Sequence, residues 1–190
     1  MYRYIKSGFD YFFSVVLILM LSPVFILIVG IQLLVGVKPF FRQFRPGRNG
    51  QLFKMYKFTT LLKEGDTDSL TKFGGLLRKT SLDELPQLLN VLRGEMSIVG
   101  PRPLLKEYLT RYTIYERSRH QVKPGITGLA QINGRNALPW KESLQFDVEY
   151  VKRISFKLDH EILIKTILNL FQMNKNNKSG TLRRGEFRGD

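Results

Sequence analysis

The chain has 190 residues, 43% of them hydrophobic and 24% charged, with 30 Lys+Arg against 16 Asp+Glu for a net charge of +14 and no cysteine. That allows one modest domain with an appendage. It excludes a disordered chain, a polytopic membrane protein, a disulfide framework, a thiolate metal site and a cysteine nucleophile. A positive excess of this size points to nucleic acid, an anionic membrane surface or a phosphorylated ligand. No zinc-finger or RNP-type signature accompanies it, so a nucleic-acid partner is not expected.

The apolar residues concentrate near the N-terminus, where Phe12 to Val37 carries no charge. As one straight helix this run would be about 39 Å long, enough to cross a hydrocarbon core of about 30 Å. It is too long for a signal-peptide core, and no A-x-A-like site follows it. Ser22-Pro23 interrupts the run. Proline removes a helical hydrogen bond and predicts a kink or break, and the Ser22 hydroxyl is placed to satisfy a freed carbonyl. Each arm would then be only about 16 to 22 Å long, too short to cross alone. Arg3 and Lys6 precede the run, and Lys38, Arg42, Arg45 and Arg48 follow it. Positive residues favour the cytoplasmic side, so a helix that enters, bends and returns satisfies both flanks. A proline-kinked span is the other reading, and either one leaves the body of the chain cytoplasmic.

From Phe40 to Thr60, turn signals at Pro46-Gly47 and Asn49-Gly50 precede a short predicted strand through Leu52, Phe53, Met55, Tyr56 and Phe58. Aromatic residues interleaved with Arg and Lys also suit a segment lying in the headgroup layer. Glu64 to Thr71 reads as a polar surface loop. Leu85, Leu88, Leu89 and Leu92 recur at helical spacing, with Pro86 near the helix start and Gly94 as its stop. Ser97 to Val99 predicts a short strand that runs into Gly100-Pro101-Arg102-Pro103. Lys106 to His120 reads as polar and helical. Trp140 to Lys152 and His160 to Phe171 read as two further helices, the second with an apolar side suited to the core or the bilayer. The residues from Asn174 onward read as a mobile tail.

Asp83-Glu84 is the sharpest chemical feature. Adjacent carboxylates at a helix start, in so basic a chain, suit phosphoryl chemistry. One can attack phosphorus and form an acyl-phosphate, while the other holds a Mg²⁺ ion that neutralises a diphosphate. Arg78 and Lys79 add favourable potential for phosphate. Ser81-Leu82-Asp83-Glu84 is equally a capping box, which would make the acids structural. Lys57, Arg102 and Arg135 are candidates for phosphate contacts. Arg102 is bracketed by prolines that restrict its backbone, and Arg135 lies in a Gly-rich turn open to close approach. His120 and His160 have no ligand partners at metal spacing and read as surface or structural. No P-loop, dinucleotide fingerprint or nucleophile-elbow pattern occurs.

Together these segments resemble one family. Ser22-Pro23 in the hydrophobic helix, then QFRPGRNG, YKF, LRKTSLDELPQLLNVLRGEMSIVGPRP, KPGITGLAQINGRN and SFKLDHEIL, are similar in order to the bacterial sugar transferases, the monotopic phosphoglycosyl transferases, in a minimal form. The likeness covers about Lys6 to Phe171. It implies an α/β, mostly α fold, with a re-entrant helix–break–helix anchor over residues 1–38. A catalytic domain over 39–172 would follow, with interfacial amphipathic helices and short strands, and then a tail over 173–190. It implies a phosphosugar transfer from a UDP-sugar to a polyprenyl phosphate on the cytoplasmic face of the bacterial inner membrane, among membrane lipids. Asp83 matches the family's nucleophile and Glu84 its Mg²⁺-associated carboxylate. Arg102 and Arg135 match positions linked to nucleotide and phosphate binding. The chain departs from the family in carrying Thr59 where a basic residue is common, and in a short segment between Thr60 and Phe73. Two rivals share these residues: a membrane-anchored phosphohydrolase, in which water takes the phosphosugar, and a basic scaffold with no activity.

Overall fold

The computed structural model describes residues 2–61, 71–134, 137–173 and 185–189, so Arg135 and the loop expected from Glu64 up to residue 70 lie outside it. The N-terminal hydrophobic run forms one helix, α1 (Tyr2–Leu34), which continues through Pro23. The expected interruption does not split it, and the local bonding explains why. Proline lacks the N–H that would reach the carbonyl of Leu19, and the Ser22 hydroxyl donates to that carbonyl at 2.8 Å. The helix ends in a Schellman motif. Gly36 takes φ +72°, its N–H donates to Leu33, and the Val37 N–H donates to Gln32.

Only 11% of the most apolar window of α1 is buried. Leu19, Met20, Ile26 and Leu27 are each more than 60% exposed. The core helix of a soluble protein would hide these side chains, whereas a membrane-inserted helix presents them to lipid. Both ends of α1 are nevertheless fastened to the body. Near the start, Lys6 Nζ lies 2.7 Å from Asp159, which also accepts from Tyr2 and Tyr150. Asp10 accepts from the Ser97 hydroxyl and the Ile98 N–H at 2.7 and 3.1 Å. Near the end, Gln32 donates to the Thr59 carbonyl at 2.6 Å, and Ile28 packs with Phe58 and Leu77.

An antiparallel hairpin follows, β1 (Phe40–Pro46) and β2 (Leu52–Phe58), pairing Phe41 with Lys57, Gln43 with Met55 and Arg45 with Phe53. Next come α2 (Lys72–Lys79), capped by the Thr71 hydroxyl, and a 3₁₀ turn over Leu82–Glu84. Helix α3 (Gln87–Leu92) starts just after Pro86. Asp83 and Glu84 thus sit one turn before the α-helix rather than in its first turn. The capping box is not formed: Ser81 has a left-handed backbone with φ +59°, and its side chain makes no cap bond.

Strand β3 (Ser97–Val99) pairs in parallel with β4 (Gly125–Thr127). A Cβ on Gly125 would lie 2.0 Å from the Gly100 nitrogen, so only glycine permits this approach of the two strands. Lys106 to His120, read as one polar helical stretch, falls instead in three short turns, including α4 (Ile114–Arg117) with its own Thr113–Glu116 capping box. The short α5 (Leu129–Ile132) leads to α6 (Trp140–Arg153) and α7 (Phe156–Met173). Tyr150, Val151, Leu158 and Ile162 of these last two helices close one core cluster over Val99 and Val122.

The far end of the expected mobile tail is docked. Phe187 is buried among Tyr108, Tyr112 and Leu144, Trp140 donates to the Gly185 carbonyl, and the Phe187 N–H donates to the Tyr108 hydroxyl. Its basic neighbours in sequence hid one aromatic residue large enough to hold the segment down.

Candidate active site

The site forms where three segments meet: β2, the 3₁₀ turn before α3, and the Pro-Arg-Pro loop after β3. Glu84 Oε1 accepts from Lys57 Nζ at 2.8 Å and from Arg102 Nη2 at 2.5 Å, while Arg102 Nη1 lies 3.3 Å from Oε2. Burial works to raise the Glu84 pKa, but the charges and hydrogen bonds of Arg102 and Lys57 outweigh it. They hold the carboxyl well below the usual carboxylate range. Asp83 has the opposite environment. It is 9% exposed, and among the described residues no hydrogen bond reaches its carboxylate. Burial, then the neighbouring Glu84 charge, push its pKa up to about 6, against the pull of Lys57, Arg102 and Arg78.

Of the residues singled out in the sequence, Asp83, Glu84, Lys57 and Arg102 therefore converge. Arg78 stands at the edge, where its Nε donates to the Thr60 hydroxyl at 2.8 Å while its charge acts on Asp83. Arg135 lies outside the described residues. Ser22 and Pro23 are in α1 and do not contribute to this site. His120 is buried, with Nδ1 3.2 Å from the Gly47 carbonyl. Burial, then the charge of Arg119, lower its pKa to about 4, so it is a neutral structural residue. His160 is exposed.

Two further residues were not legible in the sequence. Arg119 is almost fully buried and donates through Nη2 to the backbone carbonyl of Arg102 at 2.6 Å. Its Nε and Nη2 are gripped by Asp147 of α6 at 3.0 and 2.7 Å. The loop that presents Arg102 is thus fixed by flanking prolines and by a buried ion pair beneath it. Arg45, on the same face of the hairpin as Lys57, is the second. Its Nη2 donates to Gln43 at 2.6 Å, but its buried Nε has no partner. Arg45 lies in the QFRPGRNG run and Arg119 in no quoted motif, and neither role could be read locally, because each arises from segments 17 to 57 residues away.

Among the described residues no group of three or more His, Asp or Glu could cage a metal ion. Among the described residues the donor set is Asp83 and Glu84, no hydrogen bond reaches the Asp83 carboxylate, and Oε2 of Glu84 has only a long contact. Two such carboxylates fit Mg²⁺ held partly by protein and completed by substrate phosphates and water, the usual arrangement for that ion.

Comparisons with known proteins give the family of the chain. Residues 1–173 match the family described as bacterial sugar transferase. The chain is 47% identical over 172 residues to an uncharacterized sugar transferase, EpsL, of Bacillus subtilis (strain 168), covering 86% of this chain and 85% of that one. It is 39% identical over 192 residues to the exopolysaccharide production protein ExoY of Rhizobium meliloti (strain 1021), covering 85% and 83%. It is 40% identical over 185 residues to the UDP-glucose:undecaprenyl-phosphate glucose-1-phosphate transferase of Xanthomonas campestris pv. campestris. That match covers 87% of this chain but 38% of the longer protein. On the match over residues 1–173 and these identities, the chain belongs to the bacterial sugar transferase family.

Proposed function

We propose that this chain is a phosphoglycosyl transferase that moves a sugar-1-phosphate from a UDP-sugar to undecaprenyl or a similar polyprenyl phosphate and releases UMP. The observation that carries the reading is the split environment of the two carboxylates: Glu84 is neutralised by Lys57 and Arg102, while Asp83 is buried with no hydrogen bond among the described residues. The relatives from Xanthomonas campestris pv. campestris, a UDP-glucose:undecaprenyl-phosphate glucose-1-phosphate transferase, and from Salmonella typhimurium, an undecaprenyl-phosphate galactose phosphotransferase, support the same substrates.

In the first half-reaction, a carboxylate oxygen of Asp83 attacks the β-phosphorus of the donor. The P–O bond to the α-phosphate breaks, UMP leaves with that electron pair, and the phosphosugar remains as an acyl-phosphate. In the second, an oxygen of the polyprenyl phosphate attacks the same phosphorus. The Asp83 carboxylate departs, and a polyprenyl diphosphate sugar forms. A carboxylate with a pKa of about 6 is ionised at neutral pH yet more basic than an ordinary aspartate, and no hydrogen bond needs to break before it attacks. Arg102 and Lys57 face the incoming phosphates, and Arg102, with 43% of its side chain exposed, is free to share its guanidinium between Glu84 and a phosphate. Asp83 and Glu84 would hold Mg²⁺ against the diphosphate, and the ion would supply charge neutralisation there.

The same reading makes the chain a monotopic protein of the cytoplasmic face of the inner membrane, with α1 as a re-entrant anchor among membrane lipids. A spanning helix has its ends on opposite faces of the bilayer. Here Lys6 and Asp10 at one end and Gln32 at the other bond to the same body. Single cysteines at residues 2 and 50 should be labelled from the same side, and labelling from opposite sides would overturn the re-entrant reading.

The function is tested by UMP release from a panel of UDP-sugars with Mg²⁺ and undecaprenyl phosphate. Wild type should release UMP and yield a lipid-linked diphosphate sugar, and Asp83→Asn should do neither. Equal release by both proteins removes Asp83 as the nucleophile, and a free phosphosugar in place of the lipid product removes the transfer.

A further inference from the structure

Arg45 is a half-buried guanidinium that no ion pair among the described residues completes. On the hairpin it shares a face with Gln43 and Lys57, as the pairs Arg45–Phe53 and Phe41–Lys57 require. Its Nη2 is held by Gln43, its Nε is sealed from solvent without a partner, and among the described residues no carboxylate forms an ion pair with it. It lies close enough to Arg102 for the two charges to oppose each other: burial first, then Arg102, lower the pKa of Arg45 to about 10. Two acids oppose that shift from a distance, Glu107 first and then Glu84; among the described residues neither forms an ion pair with Arg45, and Glu84 is already shared by Lys57 and Arg102. Burying a guanidinium with an unfilled donor beside a like charge costs stability. A structural arginine would have been given a carboxylate, as Arg119 was given Asp147.

We propose that Arg45 is a phosphate-binding residue of the active site, completing with Arg102 a two-arginine seat for a substrate phosphate. The assignment rests on the phosphoglycosyl transferase reading. The seat suits one phosphate oxygen bonded from the Arg45 side and another from Arg102, a geometry that planar guanidinium groups favour and ammonium groups do not. The phosphate belongs either to the diphosphate of the nucleotide sugar or to the head of the polyprenyl phosphate, and kinetics separate the two. The neighbouring Gly47 keeps the turn after Arg45 tight, since a Cβ there would lie 3.2 Å from both the Gln51 carbonyl oxygen and the Phe53 ring.

The test uses the full chain in detergent or lipid nanodiscs, as wild type, Arg45→Gln and Arg45→Lys. Arg45→Gln should raise KM for one substrate at least tenfold while the other stays within twofold, and the affected substrate identifies the phosphate. Arg45→Lys should recover part of that loss. Without substrate, the melting temperature of Arg45→Gln should equal or exceed that of wild type, because an unpaired buried charge has gone. Unchanged KM values for both substrates would overturn the assignment, as would a fall in melting temperature with uniform loss of activity. Should wild type turn over no donor, inorganic pyrophosphate with Mg²⁺ serves as the probe. It should raise the melting temperature of wild type and not of Arg45→Gln, and an equal rise, or none in wild type, would refute the seat independently of the reaction.

Discussion

Replacing Asp83 with Asn should abolish transfer and at the same time stabilise the fold. Asp83 is 9% exposed, receives no hydrogen bond among the described residues and lies beside the Glu84 charge. Its pKa rises from the ordinary 3.8 to about 6, so the native protein binds this proton more tightly than the unfolded chain does. Stability then falls as pH rises through that interval and stays lower above it. At about 1.4 kcal/mol for each tenfold change in acid strength, keeping Asp83 ionised at pH 7.5 costs the fold about 3 kcal/mol. Asparagine has nearly the same shape and carries no charge, so the variant should recover much of this, about 1 to 3 kcal/mol. For a chain of this size that is a rise in melting temperature of about 3 to 10 °C. The assay is thermal unfolding of both proteins in the same detergent from pH 4 to pH 8. The difference should be largest above pH 7 and mostly gone at pH 4, where Asp83 is protonated in the native protein and about half protonated in the unfolded chain. A variant that melts at or below wild type at pH 7.5, or a gain that persists unchanged at pH 4, would refute the reasoning.

On the proposed mechanism, formation of the acyl-phosphate should follow the ionisation of Asp83: flat above pH 7 and falling about tenfold per pH unit below its pKa, which is about 6 in the free protein and lower with Mg²⁺ bound. A single-turnover rate that stays flat from pH 8 to pH 4 would mean that Asp83 ionisation does not gate the step. Arg119→Lys keeps the charge but loses the fork that bonds Asp147 and the Arg102 carbonyl together. It should cost about 2 to 4 kcal/mol of stability and lower kcat/KM more than tenfold at temperatures where the variant is folded. Wild-type kinetics in that variant would show that the buried pair does not position Arg102.

Much of the site was legible because its chemistry sits in short runs. The carboxylate pair, the proline-bracketed Arg102 and the lysine at the end of β2 stand out by residue type and local context, and the turns at Pro46-Gly47 and Asn49-Gly50 delimit the hairpin. What sequence could not supply was the difference between two neighbouring carboxylates. Asp83 and Glu84 diverge because the 3₁₀ turn aims Glu84 at β2 and the loop after β3, and leaves Asp83 buried with no donor among the described residues. Nor could periodicity foretell that Ser81 would adopt a left-handed backbone and abandon its cap. Arg45 and Arg119 escaped for the same reason: each is one arginine among many until the fold decides which carboxylate it meets. At Pro23 local chemistry was again informative, since the adjacent serine bonds the carbonyl that the proline leaves unpaired.

The membrane helix bears on the chemistry as well as on location. Its C-terminal arm bonds the carbonyl of Thr59, two residues beyond Lys57, and packs Ile28 and Phe25 on Phe58. Its N-terminal arm bonds Ser97 and Ile98 through Asp10, and that strand leads straight into Gly100 and Arg102. The two strands that deliver the cations of Glu84 are therefore each fixed to the same helix, on opposite sides of Pro23. Burying the exposed apolar surface of α1 in lipid sets the depth of both strands at once, because neither can shift along the bilayer normal without breaking a buried hydrogen bond to the anchor. A lipid phosphate lies at one depth in the headgroup layer, and a nucleotide sugar arrives from water. On the proposed reading, a site whose lysine and arginine are held to the inserted helix would meet the first at a fixed height and stay open to the second. The anchor and the carboxylate site would for that reason act as one mechanical unit, even though no residue of α1 touches Asp83 or Glu84 through any hydrogen bond among the described residues.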